Sequence, residues 1–173
     1  MPASEDDLFA FLGALGIETT THRHPPVFTV TEAKRLRGEL PGGHAKSLLV
    51  RDKKKAMALV VVDEDRRLDL KALAARLGMK RLSFASPERL MATLGVEPGS
   101  VTPFALINRR GAALHDEGLT VALDAALMRC DRLNFHPLHN AATTTISSKE
   151  LLRFIAACGY EPKRIEFEAE AEA

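Results

Sequence analysis

Tryptophan is absent from the chain and tyrosine occurs once. A core must therefore be built from Leu, Val, Ile, Ala and eight Phe. The two cysteines, Cys130 and Cys158, are too few for a disulfide framework, and a reducing cytosol suits them. No stretch approaches the roughly 18 consecutive apolar residues of a membrane span. The opening run Met1-Pro-Ala-Ser-Glu-Asp-Asp7 is acidic and lacks the basic-then-apolar order of a secretory signal. These absences lead us to expect a cytoplasmic protein with no membrane partner.

What remains is ordinary for a globular domain: 173 residues, 46% hydrophobic and 27% charged. The formal charge of +1 hides an asymmetry. Four Glu crowd the last nine residues, Ile165 to Ala173, and setting them aside moves the rest to +5. The alternating Ala and Glu of 168–173 read as a disordered acidic tail. A mildly basic body permits a phosphate-bearing ligand without demanding one.

Apolar periodicity after Ser4 (Leu8, Phe9, Phe11, Leu12, Leu15) predicts a helix that Gly16 ends. Ile17 to His24 reads as a strand stopped by Pro25-Pro26, and Thr31 to Leu40 as a short helix. Ala45 to Arg51 and Ala56 to Val62 form a predicted hairpin whose tip, Asp52-Lys-Lys-Lys55, is basic. Helices are expected over Asp69 to Leu77, closed by Gly78, over Pro87 to Leu94, opened by Ser86-Pro87-Glu88, and over Lys149 to Cys158, capped by Ser147 and ended by Gly159. Strands are expected at Arg81 to Phe84, Phe104 to Asn108, Leu119 to Leu123, Arg132 to Phe135, Thr143 to Ile146 and Arg164 to Phe167, with a turn near Arg109-Arg-Gly111. With no internal repeat and no linker, the pattern is a single α+β domain with a mixed sheet.

Three segments bear on chemistry. Gly42-Gly-His-Ala-Lys46-Ser47 resembles a Walker loop but has Ala45 where that loop needs Gly, and it runs into a strand. Lys46 enters an apolar strand, where a Lys is ordinarily a snorkelling edge residue but can also hold an anionic or carbonyl oxygen at a pocket mouth. Gly99-Ser-Val-Thr-Pro103 is either a plain connector or a stiffened loop whose backbone approaches a ligand. Asn134-Phe-His-Pro-Leu-His-Asn140 concentrates two imidazoles and two amides. Pro137 disfavours a helix there and no carboxylate lies between the histidines, so the segment is a poor metal site. Nothing marks either cysteine as an activated nucleophile.

Taken in order, His44-Ala-Lys46-Ser-Leu-Leu-Val-Arg-Asp52, Gly99-Ser-Val-Thr-Pro-Phe-Ala-Leu106, Asn134 to Asn140 and Thr143-Thr-Thr-Ile-Ser147 resemble the freestanding prolyl-tRNA editing proteins. These are relatives of the editing domain inserted in bacterial prolyl-tRNA synthetases, and the resemblance runs from Leu8 through the final helix. It implies an editing domain over 1–167 with a mixed, strongly twisted, barrel-like sheet and surrounding helices. It implies a trans-editing hydrolase that deacylates alanine wrongly esterified to proline tRNA, assisted by the substrate's own ribose hydroxyl. Lys46 and His136 would be the catalytic residues. Ser47, Gly99, Ser100, Val101, Thr102, Pro103, Asn134 and Asn140 would bind substrate. No cofactor and no metal is implied. The partners would be the acceptor end of aminoacyl-tRNA and, as a second candidate, prolyl-tRNA synthetase; DNA would not be one. Ser47 and His139 depart from the family pattern, where Asn and Thr are expected, and both stand where they can alter pocket polarity. Two rivals remain open: the same scaffold acting on cysteinyl-tRNA of proline identity or another aminoacyl ester, and a non-catalytic tRNA- or partner-binding module whose basic surface is Lys53, Lys54, Lys55, Arg109 and Arg110.

Overall fold

Strand β1 (Thr20–Arg23) begins a path of antiparallel and parallel pairings, and the path, taken in spatial order, organises the molecule. The structure is a computed structural model that describes residues 1–37, 40–110 and 118–167. The chain runs α1 (Glu5–Ala14), β1, α2 (Val30–Arg37), β2 (Gly43–Arg51), β3 (Met57–Asp63), α3 (Leu70–Leu77), β4 (Ser83–Phe84) and α4 (Pro87–Leu94). A 3-10 helix (Pro103–Arg109), β5 (Leu119–Asp124), α5 (Ala125–Met128), β6 (Arg132–Phe135), β7 (Ala142–Ser147), α6 (Ser148–Ala157) and β8 (Lys163–Ile165) follow. The strand order is β1-β7-β6-β2-β3-β5-β8, with β4 paired to β2. Pairs β2/β6, β3/β5 and β5/β8 are parallel and the others antiparallel, so the sheet is mixed. No pairing of β1 with β8 closes it among the described residues; the barrel-like sheet expected from the sequence is an open one.

Strand alternation sorts the apolar residues onto two faces. Leu49, Leu59, Val61, Val121, Leu123, Leu133 and Phe135 point to the larger core beside Leu8, Leu12, Leu94 and Phe154. Val50, Val60, Val62 and Ala122 point the other way, onto Leu73 and Leu77 of α3. Three edge-to-face contacts link Phe135, Phe104, Phe154 and Phe11, with centroids 5.5–5.8 Å apart. Such pairs are worth ~1 kcal/mol each beyond their buried area. Helix starts obey local chemistry: Ser4 and Asp7 form a reciprocal capping box, Ser86 caps α4 ahead of Pro87, and Ser147 caps α6.

Two sequence expectations fail. Phe104 to Asn108 is not a strand but part of the 3-10 helix. Thr102 accepts the Phe104 N–H at 3.2 Å and Pro103 takes the first helical position, so the apolar run coils at its start. A wholly buried run carries no periodicity to separate the two states. The Phe set is not wholly in the core either, since Phe28 and Phe84 are 69% and 59% exposed. Helix α5 was not legible as an element; Asp124, accepting the Ala126 N–H at 3.0 Å, starts it. Strand β8 is shorter than Arg164 to Phe167 and begins one residue earlier. The tail 168–173, the turn at Gly111 and part of the end of the second predicted helix lie outside the described residues.

Candidate functional site

Strand β2 pairs with β6 through Gly43 and His44, and with β4 through Val50 and Arg51. Between these two attachments the sheet splits, and a cavity of about 460 Å³ occupies the split. Its walls come from β2, the segment after β1, β6, β7, and the stretch from β4 to Val101. Antiparallel ladders alternate the direction of the backbone groups. The His44 carbonyl accepts from Glu64 N on the β3 side, whereas the Leu49 carbonyl accepts from Ala85 N on the opposite side. By that alternation the N–H and C=O of Ser47 point away from β3, into the split. The register His44↔Asn134 puts these two side chains on one face, and Lys46 follows His44 two residues on.

Lys46 is half-buried, lines the cavity, and makes no hydrogen bond or ion pair among the described residues. An ammonium so placed is free to meet a ligand oxygen, and Glu64 lines the same cavity. His136 also lines the cavity. Its Nδ1 lies 3.0 Å from the Ala142 carbonyl oxygen, which can only accept. The Nδ1 therefore carries the proton and Nε2 keeps its lone pair in the neutral ring. Burial, chiefly, pushes the His136 pKa down, the Ala142 carbonyl opposes this, and His24 and His139 add to the lowering. Leu138, with φ 75, gives the reversal between β6 and β7 that brings the Ala142 carbonyl back to His136.

Not every expected site residue reaches the cavity. Gly99 and Val101 line it, while Ser100, Thr102 and Pro103 turn inward and anchor the loop. Gly99 has φ +88, and a Cβ there would stand 3.4 Å from Cδ1 of Phe28. Asn134 borders the cavity with its amide spent on protein atoms: Nδ2 donates to the carbonyls of Pro41 and Gly43 at 3.0 and 3.1 Å, and Oδ1 accepts from the Thr145 hydroxyl at 2.6 Å. It holds the start of β2 against β6. Gly42 is required beside it, since a Cβ would meet the Arg132 carbonyl oxygen at 2.8 Å. Asn140 is not among the lining residues; its Nδ2 donates to the Val27 carbonyl at 2.7 Å and so fixes the segment carrying Phe28. Ser47 lines the cavity. His139 does not, so it does not set the cavity's polarity by contact: its Nε2 meets Glu5 Oε1 at 2.9 Å.

Sequence reasoning missed His24, His44, Phe28 and Phe84, all of which line the cavity. His24 Nδ1 bonds the Pro25 carbonyl at 2.8 Å and Nε2 the Thr143 hydroxyl at 2.9 Å. The period-two spacing of His22, on β1, and His24, just beyond its end, was the available signal. Among the described residues no group of three His, Cys, Asp or Glu is arranged to hold a metal. Burial pushes the Cys158 thiol up to about 12, far from a reactive thiolate. Arg109 is buried, donating to the Tyr160 hydroxyl at 2.8 Å and the Thr93 carbonyl at 3.4 Å, and so is no part of a basic surface. Arg110 lies 4.3 Å over the Phe11 ring.

A split mixed sheet with a lysine and a histidine at one cavity makes this a small α+β domain with a pocket of ligand size. The model of one family, described as the aminoacyl-tRNA editing domain, matches residues 24–154, and the chain belongs to that family. It is 37% identical to prolyl-tRNA synthetase associated domain-containing protein 1 of Danio rerio, over 94% of this chain and 86% of that one. It is 34% identical to the prolyl-tRNA editing protein ProX of Acetoanaerobium sticklandii, over 92% and 94% of the two chains. Its fold matches a solved structure described as a candidate trans-editing enzyme for prolyl tRNA synthetase, with TM-score 0.67, 22% identity and coverage of 94% and 97%. Among the described residues no helix is long and apolar enough to cross a membrane.

Proposed function

We propose that the protein hydrolyses the ester of alanine mistakenly attached to proline tRNA, acting in trans in the cytoplasm. The observation that carries this reading is the pairing of an unpartnered Lys46 with a His136 whose Nε2 lone pair is free, at one cavity of ligand size, in a member of the editing family. The names of the relatives, which concern prolyl-tRNA, support proline identity of the tRNA.

The ester is already activated, so the site must position it, stabilise the developing oxyanion and admit water. Water adds to the carbonyl carbon, the bond to the ribose oxygen breaks, and the proton returns to that oxygen. Free alanine and uncharged tRNA leave. The neighbouring ribose hydroxyl assists the water, and no side-chain triad is needed. Lys46 anchors the ester or terminal-nucleotide oxygens. The Ser47 N–H, aimed into the split, is a further donor for the carbonyl oxygen. His136 Nε2 accepts a hydrogen bond from a ribose hydroxyl or the water. Gly99 and Val101 shape the side-chain pocket.

Such an enzyme answers a limit of selectivity. A pocket built for proline admits the smaller alanine, because each missing methylene gives only ~1–3 kcal/mol of discrimination. The test is deacylation of alanyl-, cysteinyl- and prolyl-esters of proline tRNA. Turnover of the alanyl ester first is expected; no turnover of any ester would leave a binding module, and preference for the cysteinyl ester would shift the substrate.

A further inference from the structure

Large apolar side chains are rarely left in water without a use when they gather at one place. Among the described residues four such side chains are exposed, namely Met1, Phe28, Phe84 and Met91, and two of the four line the cavity. Phe28 comes from the segment fixed by Asn140, and Phe84 from β4. Phe84 is also the start of a basic strip. It pairs with Val50, Ser83 pairs with Arg51, and the Lys53 N–H donates to the Lys80 carbonyl at 3.1 Å. The exposed Lys53, Lys54, Lys55, Lys80 and Arg81 are thereby gathered about 10 Å along β2 from Phe84. The acid within this tip, Asp52, is buried and turned onto the N–H groups of Lys54 and Ala56 at 2.8 and 2.9 Å. Glu88, on the first turn of α4, is an exposed acid close to Phe84 in sequence.

From this arrangement we infer that the unpaired 3′ end of the tRNA leaves the cavity across Phe84, one of its bases stacking on that ring, and that its phosphates then follow the basic strip to the hairpin tip. A flat ring at the mouth of a pocket followed by cations is the arrangement that holds single-stranded nucleic acid. Every base offers a π face to the ring, and the lysines neutralise the backbone. The inference rests on the aminoacyl-tRNA reading of the cavity and adds where the nucleotides outside it run. It also gives Lys53, Lys54 and Lys55 a part in an enzyme rather than in a silent binding module.

The probe is a single-stranded RNA ending in CCA-3′ that carries alanine through an amide, which cannot be hydrolysed; binding is read by fluorescence anisotropy across salt concentrations. Phe84→Leu keeps the apolar bulk and removes the π face, and it should weaken binding about tenfold, in the range of one lost base stack. Phe84→Tyr should restore the parent affinity. The pair Lys53→Gln and Lys54→Gln should flatten the slope of log K against log salt by about 1, as expected for one or two lost phosphate contacts. An unchanged affinity for Phe84→Leu, or an unchanged salt slope for the lysine pair, overturns the track. Hydrolysis of alanyl-tRNA by the parent is measured beside it. A parent that hydrolyses while Phe84→Leu binds as tightly loses the track alone. A parent that binds the probe through Phe84 without hydrolysing alanyl-tRNA keeps the track and loses the deacylase.

Discussion

His24 and His136 stand edge to face with ring centroids 6.3 Å apart and planes inclined at 63°. Each ring has one nitrogen fixed by a backbone carbonyl, Pro25 for His24 and Ala142 for His136. A second cation beside His136 would be repelled, which adds to the burial that already lowers its pKa from 6.5. His136 is therefore neutral at physiological pH, with Nε2 ready to accept.

The consequence is a pH profile. Deacylation should be level through neutrality and fall only in acid, below 6.5, as His136 gains its proton. Stability follows the same sign. The unfolded ring binds a proton at a higher pH than the folded one, so this contribution is complete above 6.5 and is lost as pH falls through the lowered folded value. His136→Ala should cut kcat/KM about tenfold or more, ~1.4 kcal/mol or above, and remove the acid limb of the profile. Retention of that limb in the variant would assign it to another group.

Gly99 is expected to tolerate no side chain. At φ +88 an L-residue costs ~1–2 kcal/mol, and relieving that strain would shift the loop that carries Val101 on the cavity wall, while the methyl itself would only touch Phe28 at 3.4 Å. Gly99→Ala should lower the unfolding midpoint and raise KM together. A variant with parent stability and parent KM would show that neither the turn nor Phe28 depends on this glycine.

A larger stability effect is expected at Asp124. Its carboxylate, fully buried, accepts from Arg66 Nε at 2.8 Å, Asp63 N at 3.1 Å and Ala126 N at 3.0 Å, tying the ends of β3 and β5 to the start of α5. Asp124→Ala leaves Arg66 and two N–H groups unpaired, and breaking such a pair costs ~3–5 kcal/mol. Urea unfolding should show that loss as a lower midpoint at constant slope.

Capped elements were the most legible in sequence. Ser4, Asp69, Ser86 and Ser147 each accept a backbone N–H of the helix they were read as starting or preceding, or cap it directly. The hairpin of β2 and β3 was legible from its apolar runs and basic tip. The 3-10 helix was not, because Phe104 to Ile107 is buried on every side and shows no period. For the site, Lys46, Ser47, Gly99, Val101, Asn134 and His136, singled out through the family resemblance, all line the cavity. Ser100, Thr102 and Pro103 were grouped with them because a loop motif does not say which residues face inward. His24 and Phe84 escaped because each joins the cavity through long-range pairing, β1 with β7 and β4 with β2.

Selectivity is expected to be steric and to reside in the part of the cavity bounded by Gly99, Val101 and Leu90. Alanine's methyl can enter a small recess that a pyrrolidine ring cannot, and overfilling a packed site costs typically ~1–3 kcal/mol. The parent should therefore cleave the alanyl ester much faster than the prolyl ester. Widening the recess by Val101→Ala or Leu90→Ala should erode that preference by raising prolyl turnover while alanyl hydrolysis persists. Lys46→Ala should behave differently: it serves the ester common to both substrates, so both reactions should fall, by an order of magnitude or more, ~1.4 kcal/mol in the transition state. Because Lys46 is half-buried with no protein partner, its loss should leave the unfolding midpoint near that of the parent. Steady-state comparison of the two esters for the parent, the widened variants and Lys46→Ala separates sieve from anchor. Equal hydrolysis of alanyl and prolyl esters by the parent would end the sieve, since an editor that destroys its cognate product has no proofreading value. Near-normal turnover by Lys46→Ala would remove that ammonium from the mechanism.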